Sequence, residues 1–244
     1  MARRRTVLVV VMVAIFGSAA PSHAADYRTF RPDGPGPFPT VLFVAGCSGF
    51  SPSIAPTFYE RKAERLRVDG YFVIFVDYLG ARGLKTCAGA ISPEEAGRDV
   101  TAALAHVRSQ SLARPDAVTV IGWSFGGAAV ISALATIPDS RPAPFRAVLL
   151  VPVCRGLKPW KAPADVLVFF GGKDDVAPPE RCRDVVTTSA TVKVTTYPEA
   201  LHGFDSDELP ARTTYAFGVI GYHKESATAA WAEIDRFLKA SATK

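Results

Sequence analysis

Six short apolar runs punctuate the chain, at residues 40–45, 71–77, 117–122, 146–151, 165–170 and 192–197. They are rich in Val, Ile, Leu and Phe, and most do not alternate polar with apolar positions. A strand with one wet face alternates. A continuous run therefore predicts strands buried on both faces, as in a parallel sheet. Between the runs lie stretches of helical period at 57–68, 92–109, 125–136, 179–187 and 226–239. Ser92, Pro93 and Glu95 open the second of these with the spacing of a capping box, with proline in the first turn. Residues 125–136 are small and apolar throughout, which predicts a buried helix. Strand and helix in alternation predict an α/β fold: a doubly wound, mostly parallel sheet with helices on both faces. Ligands in such folds bind beyond the carboxyl ends of the strands, so the residues that follow each run are the candidates for chemistry.

The N-terminus reads differently. Arg3, Arg4 and Arg5 precede an apolar run at 7–16, too short to span a bilayer comfortably, and Ser22-His23-Ala24 offers small residues at a cleavage site. This pattern predicts a secretory signal peptide over 1–24, cut after Ala24. The mature part, 25–244, is then a single domain, periplasmic or secreted, without stable membrane insertion. Removing the three arginines takes 28 basic residues to 25 against 23 acidic ones, and the charge from +5 to +2. No run of Lys or Arg remains to track a phosphate backbone, so nucleic acid is not an expected partner.

Export changes the meaning of the four cysteines, Cys47, Cys87, Cys154 and Cys182. An even number in an oxidising compartment predicts two disulfides. Cys47 follows the first run and Cys87 lies in the loop after the second. Cys154 follows the fourth, and Cys182 lies beyond the fifth. Loops at neighbouring strand ends can meet the short Cα separation that a disulfide needs, so the expected pairs are Cys47–Cys87 and Cys154–Cys182. No cysteines are close in sequence and no histidine pair has ligand spacing, so no metal site is expected.

The third run leads into Gly122-Trp123-Ser124-Phe125-Gly126-Gly127 and then the buried helix. G-x-S-x-G between strand and helix is the nucleophile elbow. Its glycines let strand and helix approach, and its serine projects above the sheet beside the positive helix end. In this arrangement an acid and then a histidine follow in chain order. Asp174 and Asp175 stand after the fifth run, either able to serve as the acid, and His202 after the sixth. His23 lies in the signal segment and His106 in mid-helix, so His223 is the rival. Two backbone N–H groups would complete an oxyanion hole, those of Phe125 and of Cys47 in the loop after the first run. Trp123, Phe125 and Phe204 are candidates for lining an acyl pocket.

Four segments, Gly46-Cys47-Ser48-Gly49, the elbow, Gly172-Lys173-Asp174 with Pro178 behind it, and Ala200-Leu201-His202-Gly203-Phe204, together resemble the dienelactone hydrolase family, across most of the mature chain. The resemblance implies a minimal α/β-hydrolase fold with no large cap domain and no cofactor. It selects Asp174 over Asp175, because the family's acid stands four residues before the loop proline. Family founders carry a cysteine nucleophile where this chain has Ser124, and grip a substrate carboxylate with two arginines. Arg82 matches one of these, and Ser206 stands where the other is expected. The implied activity is hydrolysis of a small-molecule carboxylic ester or lactone. A peptidase or amidase of the same fold would need a device to hold a peptide. A non-catalytic binding protein on a hydrolase scaffold would be expected to lack a member of the Ser124, Asp174 and His202 set. A thiol redox protein would need a C-x-x-C.

Overall fold

The computed structural model describes residues 27–242; the segment read as a signal peptide lies outside them. Seven strands form one sheet: β1 Thr29–Phe30, β2 Phe38–Val44, β3 Phe72–Phe75, β4 Ala113–Trp123, β5 Arg146–Leu150, β6 Val166–Gly171 and β7 Val192–Tyr197. Their order is β1-β3-β2-β4-β5-β6-β7. All neighbours are parallel except the edge pair β1 and β3.

The unbroken apolar runs have the expected cause. Successive residues of β2 feed opposite cores. Leu42 and Val44 pack with Val100 and Leu104 of α2 (Pro93–Ser109) and with Ile131 of α3 (Phe125–Ala135). Val41 and Phe43 pack with Leu66 of α1 (Phe58–Val68) and with Trp231 and Ile234 of α4 (Lys224–Ala242). Two helices on each face leave no wet side for a polar residue to occupy. The capping box is formed: Ser92 Oγ accepts from Glu95 N–H, and Glu95 accepts from Ser92 N–H. Among the described residues no helix is long and apolar enough to cross a membrane.

Two elements depart from the sequence pattern. The stretch at 179–187 forms only a 3₁₀ turn, Pro179–Cys182. Val185 and Val186 N–H both donate to Cys182 O, which closes one further turn, and Cys182 is bonded to Cys154. A hairpin of β8 (Thr213–Tyr215) and β9 (Gly218–Ile220) had no signal, since three-residue strands carry no periodicity.

Both disulfides have the expected partners, with Cα–Cα distances of 4.8 Å for Cys47–Cys87 and 5.1 Å for Cys154–Cys182.

Candidate active site

Strand β4 ends at Trp123, and Ser124 turns sharply with φ 51° and ψ −115°. For a residue with a Cβ this is strained backbone, costing about 1–3 kcal/mol, and it persists only where the surroundings over-determine it. Here they do. Ser124 N–H donates to Leu150 O (2.9 Å), while its carbonyl accepts from Ala128 N–H (3.2 Å) and Val153 N–H (3.1 Å). The glycines of the elbow are required by contact. A Cβ on Gly126 would stand 2.1 Å from Val44 O, and one on Gly122 would stand 2.7 Å from Gly126 O. The turn sets the serine hydroxyl at the N-terminus of α3, whose dipole favours negative charge there.

Asp174 and His202 follow β6 and β7, at the same edge of the sheet. His202 Nε2 is 2.9 Å from Ser124 Oγ, and His202 Nδ1 is 2.7 Å from Asp174 Oδ2. Asp174 is buried, and its other oxygen accepts from Val176 N–H (3.0 Å) and Ala177 N–H (2.8 Å). The carboxylate is thus held by three donors in one orientation. Asp175 points elsewhere, accepting from Val219 N–H (3.1 Å). The rival histidine, His223, bonds Ser226 Oγ (2.8 Å) at the start of α4.

The loop after β2 lies against the elbow. A Cβ on Gly46 would be 3.5 Å from Ser124 Cβ. Gly46 N–H donates to Tyr59 Oη (2.9 Å), and Tyr78 Oη–H donates to the carbonyls of Gly46 (2.7 Å) and Ala45 (3.0 Å). Burial pushes both phenols well up, so both remain protonated and Tyr78 keeps its donor. Cys47 O accepts from Cys87 N–H (2.9 Å) beside the disulfide. The peptide before Cys47 is therefore held on both sides, close to the serine.

These groups open into a cleft of about 130 Å³. Its walls are largely apolar: Ile54, Phe58, Val151, Leu209, Phe217 and Ile220. Val151, directly after β5, has φ 44°, a strained conformation for a β-branched residue. The hairpin supplies one wall, and Tyr215 Oη reaches Ser48 Oγ (3.3 Å) across the cleft.

Three expected pocket residues are elsewhere. Phe125 packs on Tyr78 in the core, outside the cleft. Arg82 pairs with Asp99 (2.6 Å) and donates to Tyr78 O (2.8 Å), outside the cleft. An acidic partner one helix away outcompetes an apolar cavity for a guanidinium. Phe204 is 0% exposed and packs on Tyr197, as part of the core. Trp123 lines the cleft, but its ring also packs edge-on against Phe43 and Tyr59.

Asp205 was invisible to sequence reasoning. It is 1% exposed, and its Oδ2 accepts from Trp123 Nε1 (3.1 Å) and Trp231 Nε1 (3.2 Å). One carboxylate thus joins the elbow, the histidine loop and α4. The same loop also meets α1 through Arg61 with Asp207 (2.6 Å) and Glu208 (3.0 Å). Those pairs are partly exposed and worth about 0–1 kcal/mol each, so the buried anchor dominates. The signal available in sequence was an aspartate three residues after the histidine, which has no meaning until the two indoles are placed.

Residues 26–242 match the dienelactone hydrolase family. A Klebsiella pneumoniae protein assigned as a dienelactone hydrolase superposes with a TM-score of 0.65 at 21% identity, covering 86% of this chain and 90% of its own. A thermophilic esterase from Thermogutta terrifontis, with butyrate bound, gives 0.61 at 16% identity, covering 88% of each chain. The same organism's esterase 2 phosphorylated by paraoxon gives 0.60 at 18%, covering 87% of each. At these identities the likeness carries the fold, an α/β-hydrolase fold. No curated protein sequence matches the chain.

Proposed function

This chain belongs to the dienelactone hydrolase family, and on that premise we propose that it is an exported serine hydrolase that cleaves a carboxylic ester or lactone through an acyl-Ser124 intermediate. The observation that carries the reading is the hydrogen-bonded series from Ser124 Oγ to His202 Nε2 (2.9 Å) and from His202 Nδ1 to Asp174 Oδ2 (2.7 Å), at the floor of an apolar cleft.

His202 Nε2 takes the hydroxyl proton as Ser124 Oγ attacks the ester carbonyl carbon. The carbonyl π electrons move to oxygen, which accepts hydrogen bonds from the Phe125 and Cys47 N–H groups. Removing one such donor commonly costs about 3–4 kcal/mol of transition-state stabilisation. The tetrahedral species collapses, the C–O bond breaks, and His202 returns the proton to the leaving alkoxide. In a lactone that alkoxide stays tethered to the acyl group. Water then repeats the attack on the acyl-serine, with His202 again as base. Asp174 holds Nδ1–H toward itself throughout, so Nε2 is free to accept. Residues 25–244 act as one domain and 1–24 as its signal peptide. Two disulfides support residence in an oxidising compartment.

Paraoxon phosphorylates the Thermogutta esterase 2, and it tests this reading. It is expected to add one diethylphosphoryl group to the peptide that contains Ser124 and to abolish hydrolysis of 4-nitrophenyl acetate. A label on another residue, or an unlabelled Ser124 in inactivated protein, would refute the assignment.

The disulfide near the site yields a second expectation. Cys47 is part-exposed, whereas Cys154 and Cys182 are both buried, so a mild reductant reaches Cys47–Cys87 first. Loop-closure entropy assigns the bond about 4 kcal/mol for its 40-residue separation. Its loss frees the loop that presents the Cys47 N–H. Turnover is expected to fall at a reductant concentration that leaves near-ultraviolet dichroism unchanged. Simultaneous loss of both signals would mean that the bond serves stability alone.

A further inference from the structure

The polar inventory of the cleft is lopsided. Among the described residues that line it, none is Lys or Arg. Arg82, the nearest candidate in sequence, is spent on Asp99 and a backbone carbonyl. The cleft contains one carboxylate outside the Ser124, His202 and Asp174 set, that of Asp205. Its Oδ1 has no hydrogen-bond partner, although the residue is almost wholly buried. Ser206, next to it and also lining the cleft, has a buried and unpartnered Oγ.

We propose that this cleft takes esters whose acyl group is uncharged and apolar, and that it rejects an acyl carboxylate for want of any cation to receive it. The inference rests on the esterase reading above and deepens it. An anion that enters must shed water among Ile54, Phe58, Leu209 and Ile220, with no cation to replace its hydration. Lys62 does not relieve this. It meets Asp205 from the far side, its Nζ 4.4 Å from the Trp231 ring, in a separate surface pocket.

The test compares 4-nitrophenyl hexanoate with the half ester mono-4-nitrophenyl adipate, on disulfide-intact protein at neutral pH. The two acyl chains have equal length and differ in a terminal methyl against a terminal carboxylate. The ratio of kcat/KM, hexanoate over adipate, is expected to be roughly 100 or more, since an unpaired charge is being desolvated. Phe217→Lys places a cation at the rim, where Phe217 is 45% exposed, and is expected to reduce that ratio by about tenfold. Hydrolysis of hexanoate and adipate at similar efficiency would overturn the inference and leave the esterase reading standing. Hydrolysis of neither, or of any other nitrophenyl ester, would overturn the esterase reading and the inference with it. A ratio unchanged in folded Phe217→Lys would mean that the missing cation does not set the preference.

Discussion

Ser124→Ala is expected to lower ester turnover by roughly 10⁴–10⁶-fold while leaving the fold intact. Under the proposed mechanism the loss is large because the hydroxyl, hydrogen-bonded to His202, forms the covalent intermediate. Water in its place would lack both the fixed geometry and the His202 contact of 2.9 Å. What remains is whatever the backbone donors and the cleft supply alone. The fold should tolerate the change. The strained backbone at φ 51° is kept by bonds from main-chain atoms, to Leu150 O and from Ala128 and Val153 N–H, none of which involves the side chain. Purified variant and parent should therefore share a melting temperature to within a few degrees. Near-parental turnover in a folded variant would require another nucleophile.

Asp174→Asn is expected to cost roughly 10⁴-fold in kcat, while Asp175→Asn costs no more than severalfold. The asymmetry follows from the donors around each group. Asp174 accepts from Val176 and Ala177 N–H on one oxygen and faces His202 Nδ1 with the other. An asparagine there must keep its carbonyl oxygen toward the two amides, which leaves its NH₂ against Nδ1. Nδ1 then becomes an acceptor, the proton moves to Nε2, and Nε2 can no longer take the serine proton. Asp175 accepts one bond from Val219 N–H, which an asparagine oxygen accepts as well. The comparison is read from kcat of the two variants on one nitrophenyl ester. Equal losses, or a larger loss at Asp175, would transfer the acid's role to Asp175.

The disulfide pairs and the elbow could be read from the chain because both depend on where strands end, and strand ends are written in local composition. Val118 to Ile121 followed by glycine, serine and glycine specifies a buried strand, a strained turn and a close helix almost without reference to the rest of the molecule. Cys47 and Cys154 each follow such a strand. The family resemblance selected Asp174, which the residues themselves left level with Asp175. The structure then shows which of the two meets His202.

Tertiary structure decided the rest, for a physical reason in each case. Arg82 stands where the family resemblance suggested a substrate arginine, but a guanidinium goes to the carboxylate it can reach, and Asp99 comes from a helix that only folding brings there. Phe204 beside the histidine has the chemistry of a pocket residue, yet the turn after His202 directs it into the core against Tyr197. Asp205 acquires its place from Trp123 and Trp231, 82 and 26 residues away in sequence. The cleft wall from the hairpin at 213–220 comes from strands too short to carry a period. Apolar periodicity determines which residues are buried. Which polar group a buried side chain meets, and so what the site can bind, is a property of distance in space.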